Sequence, residues 1–441
     1  MNRTLPLILT AALLLTACAS AVPAQSADAT TSPSAAASSP AQPAAETSAP
    51  PLTPKFPVGH LLTLPQNQNS GPVWNTGDAL YELRDASNMT PEALVLKTDY
   101  AALTQSVYCD IPGCTHDSDA CPASLASDFC VGVMAVDGTV YTYPGELTNV
   151  APTQIYRIDP ATGKTPVAAV PDALPHHMQL QWCDEYALYG CPLAASHQPG
   201  TLYRWDWQND TVQTIPMLAD ESIIACEGSR FLTIRIEANE PFPNFGSAEQ
   251  EKAILAHAVY VYAWLDPATG AREKICTRPY ADGYFHNYYD GRIYYTGNFR
   301  NADTPGQQAA LLYFDTADGT EKTLLETIPF DTYGIDVCEP FSPAFAGVPQ
   351  RYLRVLNVGD AYADCLLDME TGDVLPAPAV TAEGVRRPAL LLACTASGQW
   401  LTTANPRDSY DPQYSLYALW DPADFLADGQ PAAWVTMYAT E

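Results

Sequence analysis

Residues 154–164 read QIYRIDPATGK, and residues 259–271 read VYVYAWLDPATGA. Each is a β-branched and aromatic run that ends at an Asp and breaks into a turn, the composition of a strand running into a hairpin. The pattern recurs as LYRWDWQNDTV from Leu202, LLYFDTADGTE from Leu311, CLLDMETGDV from Cys365 and LYALWDPAD from Leu416, with a weaker copy, ALVLKTDY, from Ala93. The turn aspartates are Asp99, Asp159, Asp206, Asp266, Asp315, Asp368 and Asp421, spaced 47 to 60 residues apart. Gly163, Gly270, Gly319 and Gly372 follow four residues after their Asp, where a tight hairpin often needs positive φ.

Each copy has a partner upstream: VWNTGDALYEL, MAVDGTVYTY, WCDEYALYG, ACEGSRFLTI, YYDGRIYYTG, QRYLRVLN and TASGQWLTT. Most of these show a hairpin turn between two strands. The unit is therefore four strands, and almost no 3.6-residue periodicity interrupts it. A four-stranded unit repeated at a period near 50 is the signature of a β-propeller. One such sheet cannot bury both faces, whereas a closed ring can. The expected fold is all-β: a β-propeller of about seven four-stranded blades over residues 56–441. The repeat resembles the seven-bladed propellers of the TolB-like group. That resemblance is architectural and implies no particular activity. Ring closure is expected to pair a strand near His60–Leu64 with the last strand near Trp434–Tyr438.

The first twenty residues, MNRTLPLILTAALLLTACAS, have a short positive end at Arg3, an apolar run from Leu5 to Leu15 and small residues at Thr16-Ala17-Cys18. The run is too short to span a bilayer and has the layout of a secretory signal. Leu15-Thr16-Ala17-Cys18 resembles the lipobox of bacterial lipoproteins. The resemblance implies a signal peptide at 1–17, cleavage before Cys18, and diacylglycerol on its thiol. Two acyl chains anchor firmly where one holds only marginally. The expected location is the outer surface of the cell membrane. Residues 18–55 are almost entirely Ala, Ser, Pro and Thr, with too little apolar bulk to repay ordering; they read as a disordered tether.

The chain carries 21 basic and 50 acidic residues, a net charge of −29. Losing Arg3 with the signal takes this to −30. A phosphate-binding partner needs a basic patch, so nucleic acid is not an expected partner.

The sharpest cluster is YCDIPGCTHDSDACPASLASDFC, residues 108–130. Cys109, Cys114, His116 and Cys121 supply three thiolates and an imidazole, a donor set suited to tetrahedral structural zinc. The competing reading, natural for an exported chain, is disulfides among Cys109, Cys114, Cys121 and Cys130, and reduced idle thiols are a third reading. By strand count this segment is the connection from the first blade to the second, on the same face as the long connections 238–257, 297–309 and 405–413. Phe242, Phe245, Phe299 and Tyr410 in those connections are the ligand-face candidates, since aromatics enrich recognition sites. The other cysteines read as buried small apolar residues, with a bridge between Cys183 and Cys191, which flank the hairpin EYALYG, as the alternative for that pair. His176 and His177 read as a solvated loop, and Asp315–Gly319 as a hairpin turn. No nucleophile elbow, P-loop, dinucleotide fingerprint or HExxH is present, and no catalytic residue is assigned.

The functional expectation is a membrane-anchored lipoprotein that presents its propeller to a protein or glycan. The alternative is a carbohydrate-active enzyme with carboxylates about 5 to 10 Å apart at the propeller axis. A two-lobed solute-binding lipoprotein would share the anchor and tether but needs helical repeats that the sequence lacks.

Overall fold

The computed structural model describes residues 54–64, 73–85, 93–125, 131–147, 154–192, 198–240, 248–280, 285–297, 310–327, 351–355, 365–376, 379–382, 385–404, 416–427 and 429–438. Strands dominate them, and the two helices are short, Ala248–Leu255 and Pro422–Leu426. No helix among them is long and apolar enough to cross a membrane.

The strands form antiparallel sheets met in chain order, in a β-propeller arrangement. The first sheet runs Val73–Asn75, Ala79–Asp85, Ala93–Asp99, Thr104–Val107. The second runs Val131–Val136, Thr139–Pro144, Gln154–Asp159, Gly163–Ala169. The third is Met178–Cys183, Leu188–Pro192, Pro199–Asp206, Thr211–Ala219, and the fourth Glu221–Glu227, Arg230–Glu237, Val259–Leu265, Arg272–Pro279. The fifth is Phe285–Tyr289, Arg292–Gly297, Ala310–Asp315, Thr320–Leu325. The last is Leu390–Cys394, Trp400–Ala404, Leu416–Trp420, Ala433–Trp434.

These six sheets have four or more strands, where seven were expected. Between the fifth and the last lie a three-stranded sheet, Tyr352–Val355, Cys365–Asp368, Val374–Pro376, and a separate hairpin, Ala379–Ala382 with Val385–Pro388. Asp368 and Gly372 mark those three strands as the outer three of the repeat. Residues 328–350, which precede them, lie outside the described residues.

The turn chemistry matches the repeat. The Asp266 carboxylate accepts the N–H of Ala268 at 2.8 Å, and Gly270 N–H donates to the Asp266 carbonyl at 2.7 Å. Gly270 takes φ +75° to allow this. Gly372, at φ +80°, also lies against the fifth sheet; a Cβ there would meet the Leu324 carbonyl at 3.1 Å.

Neighbouring sheets bury their faces on one another. Trp182 of the third meets Phe231 of the fourth edge-on at 5.5 Å, and Trp264 of the fourth meets Tyr288 of the fifth likewise at 5.5 Å. Val73, Leu80 and Tyr100 of the first share a cluster with Leu392, Leu401 and Tyr417 of the last. That joint also holds a buried polar group. Glu82 accepts from Arg84 at 2.8 Å, Tyr417 Oη at 2.6 Å and Gln105 Nε2 at 3.2 Å.

Closure differs from expectation. Leu62–Thr63 pairs with the third sheet's first strand, Leu62 opposite Cys183 and Thr63 opposite Trp182. The cause is the apolar segment around it: Phe56, Val58 and Leu61 fill the gap between the third and fourth sheets. Phe56 lies under the buried Arg204 guanidinium at 4.6 Å. It is the chain's other end that reaches the first sheet. Thr436 bridges Thr104, Gln105 N–H donates to Thr436 O at 2.8 Å, and Thr436 N–H donates to Leu103 O at 2.9 Å.

Glu82→Ala should strand Arg84 and the Tyr417 hydroxyl in the closing joint. We expect a loss of about 3–5 kcal/mol, as for a broken buried ion pair. Denaturant titration measures it, and an unchanged midpoint would show that closure does not depend on this carboxylate.

Candidate metal centre at the rim

The strand Ala93–Asp99 fixes where the cysteine cluster sits. On its outer side it pairs with Thr104–Val107 and again, further along, with Ser124–Leu125. One residue serves both ends of the intervening loop. The Val95 carbonyl accepts Tyr108 N–H at 2.8 Å, and Val95 N–H donates to Ala123 O at 2.9 Å. The cluster is therefore an insertion within the outer strand of the first sheet. It is not the connection between the first two sheets, as strand counting implied. That connection is 126–130, outside the described residues along with Cys130. Counting missed this because the resumed strand is only two residues long, too short for any period.

The loop leans outward onto the second sheet. Asp110 N–H donates to the Pro160 carbonyl at 2.8 Å, in the turn after Gln154–Asp159. Lys164, on the outer strand there, reaches Asp119 at 3.3 Å and the Ser124 carbonyl. Apolar support is thin: Cys121 and Ala123 are buried, while Cys109, Cys114 and His116 are half-buried.

Within the loop the chain reverses twice through the left-handed region, at Gly113 (φ +74°) and His116 (φ +62°). That conformation is uncommon for a residue with a Cβ. Here it turns the imidazole inward, with Nδ1 3.3 Å from Cys121 Sγ. The donor atoms of Cys109, Cys114, His116 and Cys121 all lie within 4.8 Å of one another. Thiolate bonds of about 2.3 Å in a tetrahedron would put sulfurs about 3.8 Å apart. The four donors are thus gathered to within about an ångström of a closed shell, and they could hold a metal ion. None of Cys109, Cys114 and Cys121 is in a disulfide. Burial pushes the Cys121 thiol up to about 12 and raises Cys109, whereas the His116 N–H lowers Cys114. A bound cation overrides such shifts, because a coordinating thiol is deprotonated outright.

Elsewhere the sequence readings fare variously. Cys18, Phe242, Phe245, Phe299 and Tyr410 lie outside the described residues. His176 and His177 are exposed, and Asp315–Gly319 is a hairpin turn closed by Gly319 N–H on the Asp315 carbonyl at 2.9 Å. Cys183 and Cys191 are both free thiols. For axial carboxylates, the described first strands of the six full sheets carry Glu221 and Glu227 alone. Glu221 is clamped by Arg272 through both oxygens at 2.9 and 2.7 Å, and Glu227 accepts the Tyr288 hydroxyl at 2.5 Å. They sit at opposite ends of one strand, roughly 20 Å apart at 3.3 Å per residue.

No protein-family model and no curated protein sequence matches the chain. Among solved structures, the β-propeller domain of the Trilobed protease from Pyrococcus furiosus has TM-score 0.46 and 8% identity, covering 82% of this chain and 96% of that one. TolB from Acinetobacter baumannii has TM-score 0.31 and 10% identity, over 77% of this chain and 76% of that one. Dipeptidyl peptidase 4 from Porphyromonas gingivalis has TM-score 0.37 and 9% identity, over 82% of this chain and 52% of that one. No activity is carried over from them.

Proposed function

We propose that this chain is an exported lipoprotein, held at the outer surface of the cell membrane by diacylglycerol on Cys18, whose propeller presents a binding face to a protein or glycan. Its rim, on this reading, is braced by structural zinc on Cys109, Cys114, His116 and Cys121.

One observation carries the presentation: the chain comes into the propeller on its turn face. Lys55 N–H donates to the Ala268 carbonyl at 3.0 Å, in an outer turn of the fourth sheet, and Leu61 N–H to the Gly228 carbonyl at 2.7 Å, in an inner turn. Gly59 N–H meets Asp184 at 3.1 Å and His60 N–H meets Glu185 at 2.8 Å, in the inner turn of the third sheet. The strand ends that lead into the long connections lie at the other end of each sheet. With residues 55–61 occupying the turn face, that other end is the binding face on this reading.

Binding is favoured over carboxylate catalysis because Glu221 and Glu227 are both engaged. Zinc is favoured over bridges because four donors of the right softness face one point from a loop with little core of its own. When bound, zinc would supply folding energy there, not chemistry on a substrate.

Cys18→Ser tests the anchor. The variant should accumulate unprocessed or leave the membrane fraction; normal processing with full membrane retention would refute lipidation. Metal analysis with thiol counting, on protein purified without oxygen, tests the brace. One zinc per chain with reduced thiols is expected, and metal-free protein with paired sulfurs would overturn it.

A further inference from the structure

The outer strand of the first sheet is asked to do two things at once. Thr104–Val107 is only four residues long. Two residues beyond its end stands Cys109, the first donor of the metal loop. Along its free edge lies the chain's C-terminal segment, docked through Thr104, Gln105 and Leu103.

The two attachments share one strand and one apolar cluster. Tyr438 N–H donates to Gln105 Oε1 at 3.3 Å, and its carbonyl accepts Arg84 NH1 at 3.3 Å. The Tyr438 side chain packs on the same apolar cluster as Tyr108, Cys109 and Cys114. Gln105 also donates to Glu82, the carboxylate that binds Tyr417 of the last sheet. An unbroken run of contacts therefore joins the four donors to the joint where the ring closes.

We infer that the metal at Cys109, Cys114, His116 and Cys121 acts as a clamp on ring closure: its occupancy governs how firmly residues 434–438 dock on the first sheet. This rests on the zinc reading above. The physical reason is the entropy of the loop. Residues 109–122 bury little apolar surface, so their order must come from elsewhere, and ordering costs about 1–2 kcal/mol per residue. With zinc bound, four bonds fix the loop and hold Cys109 where the strand ends. With zinc removed, the loop loosens from Cys109, and a four-residue strand has little else to hold its last residues in register. Tyr438 then loses part of the order of the apolar cluster it shares with Tyr108, Cys109 and Cys114. On the loop's other side, Asp110 on Pro160 and Asp119 on Lys164 would loosen too, so the clamp joins three sheets: the last, the first and the second.

Coupling of this kind is reciprocal. If zinc tightens the docking of 434–438, that docking must tighten zinc by the same factor.

Hydrogen exchange on the full mature chain, with zinc and after chelation under reducing conditions, reads the forward direction. Amides in 104–108, 161–164 and 434–438 should exchange faster by about fivefold or more without zinc. Those of 259–279 in the fourth sheet should not change. Thr436→Pro reads the reverse. It removes the N–H that donates to Leu103, and its zinc affinity, measured by chelator competition, should fall by about the same factor. Zinc bound with flat exchange in 434–438, or Thr436→Pro with unaltered affinity, overturns the clamp while leaving the zinc site intact. Failure to bind zinc at all removes both readings together.

Discussion

The constraint on which this fold depends is that its strands are apolar on both faces. Val259–Leu265 is buried at six of its seven positions. Successive side chains on a strand point to opposite faces, so burial on both sides needs a neighbour on both sides. A stack of such sheets ends only when it closes on itself. Residues with large, stiff rings fill most of the contacts: Trp182 on Phe231, Trp264 on Tyr288, Tyr352 on Trp400. Each ring covers roughly 150–250 Å² and prefers the edge-to-face contact seen at these interfaces.

Closing the ring poses a separate problem. Most neighbouring sheets are joined by chain that sets their order, whereas the first and last meet only by contact. An apolar surface alone would let them slide at small cost. Glu82 removes that freedom. It holds Arg84 and Gln105 within the first sheet and takes the Tyr417 hydroxyl from the last, so a shifted register would leave that buried hydroxyl and one carboxylate oxygen unpaired. Leaving a buried polar group without its hydrogen bond costs about 1–3 kcal/mol, more than a shifted methyl contact. Asn75 adds a second pin, its amide donating to the Cys394 carbonyl at 2.7 Å. The joint is thus apolar for strength and polar for register.

How much of this was legible follows from the range of the interactions. The strand, Asp and Gly pattern is local. Asp266 organises its own turn, and the sequence carries the whole of that chemistry within five residues. The gathering of Cys109, Cys114, His116 and Cys121 was legible for the same reason. The seat of that loop was not, since it depends on Ser124 and Leu125 returning to a strand first met at Ala93. Nor was the path of the N-terminal segment. Gly59 and Asp184 are 125 positions apart, and nothing in the composition of residues 54–64 tells the third sheet from the last. Both ends of the chain were expected to latch the ring, yet only one does, because Phe56, Val58 and Leu61 have a better apolar home beside Trp182 and Phe231.

The position of the metal loop is itself explained by the sheet. An insertion within an inner strand would break ladder bonds on two sides and open the core. At the outer strand the cost is small, because Val95 keeps both its hydrogen bonds, one to each end of the loop. The outer edge is also where a strand most needs covering, since its free N–H and C=O groups invite pairing with another chain. Here the edge of Thr104–Val107 is covered by Thr436, and the loop folds outward over the neighbouring sheet. Charge completes the argument. On the zinc reading, three thiolates, a neutral imidazole and a divalent cation would sum to one negative charge, in a chain that is already strongly acidic. Lys164 is the cation set beside that loop, and it comes from the second sheet. It is already paired with Asp119 of the loop, so what it supplies at this rim is a tie between two sheets.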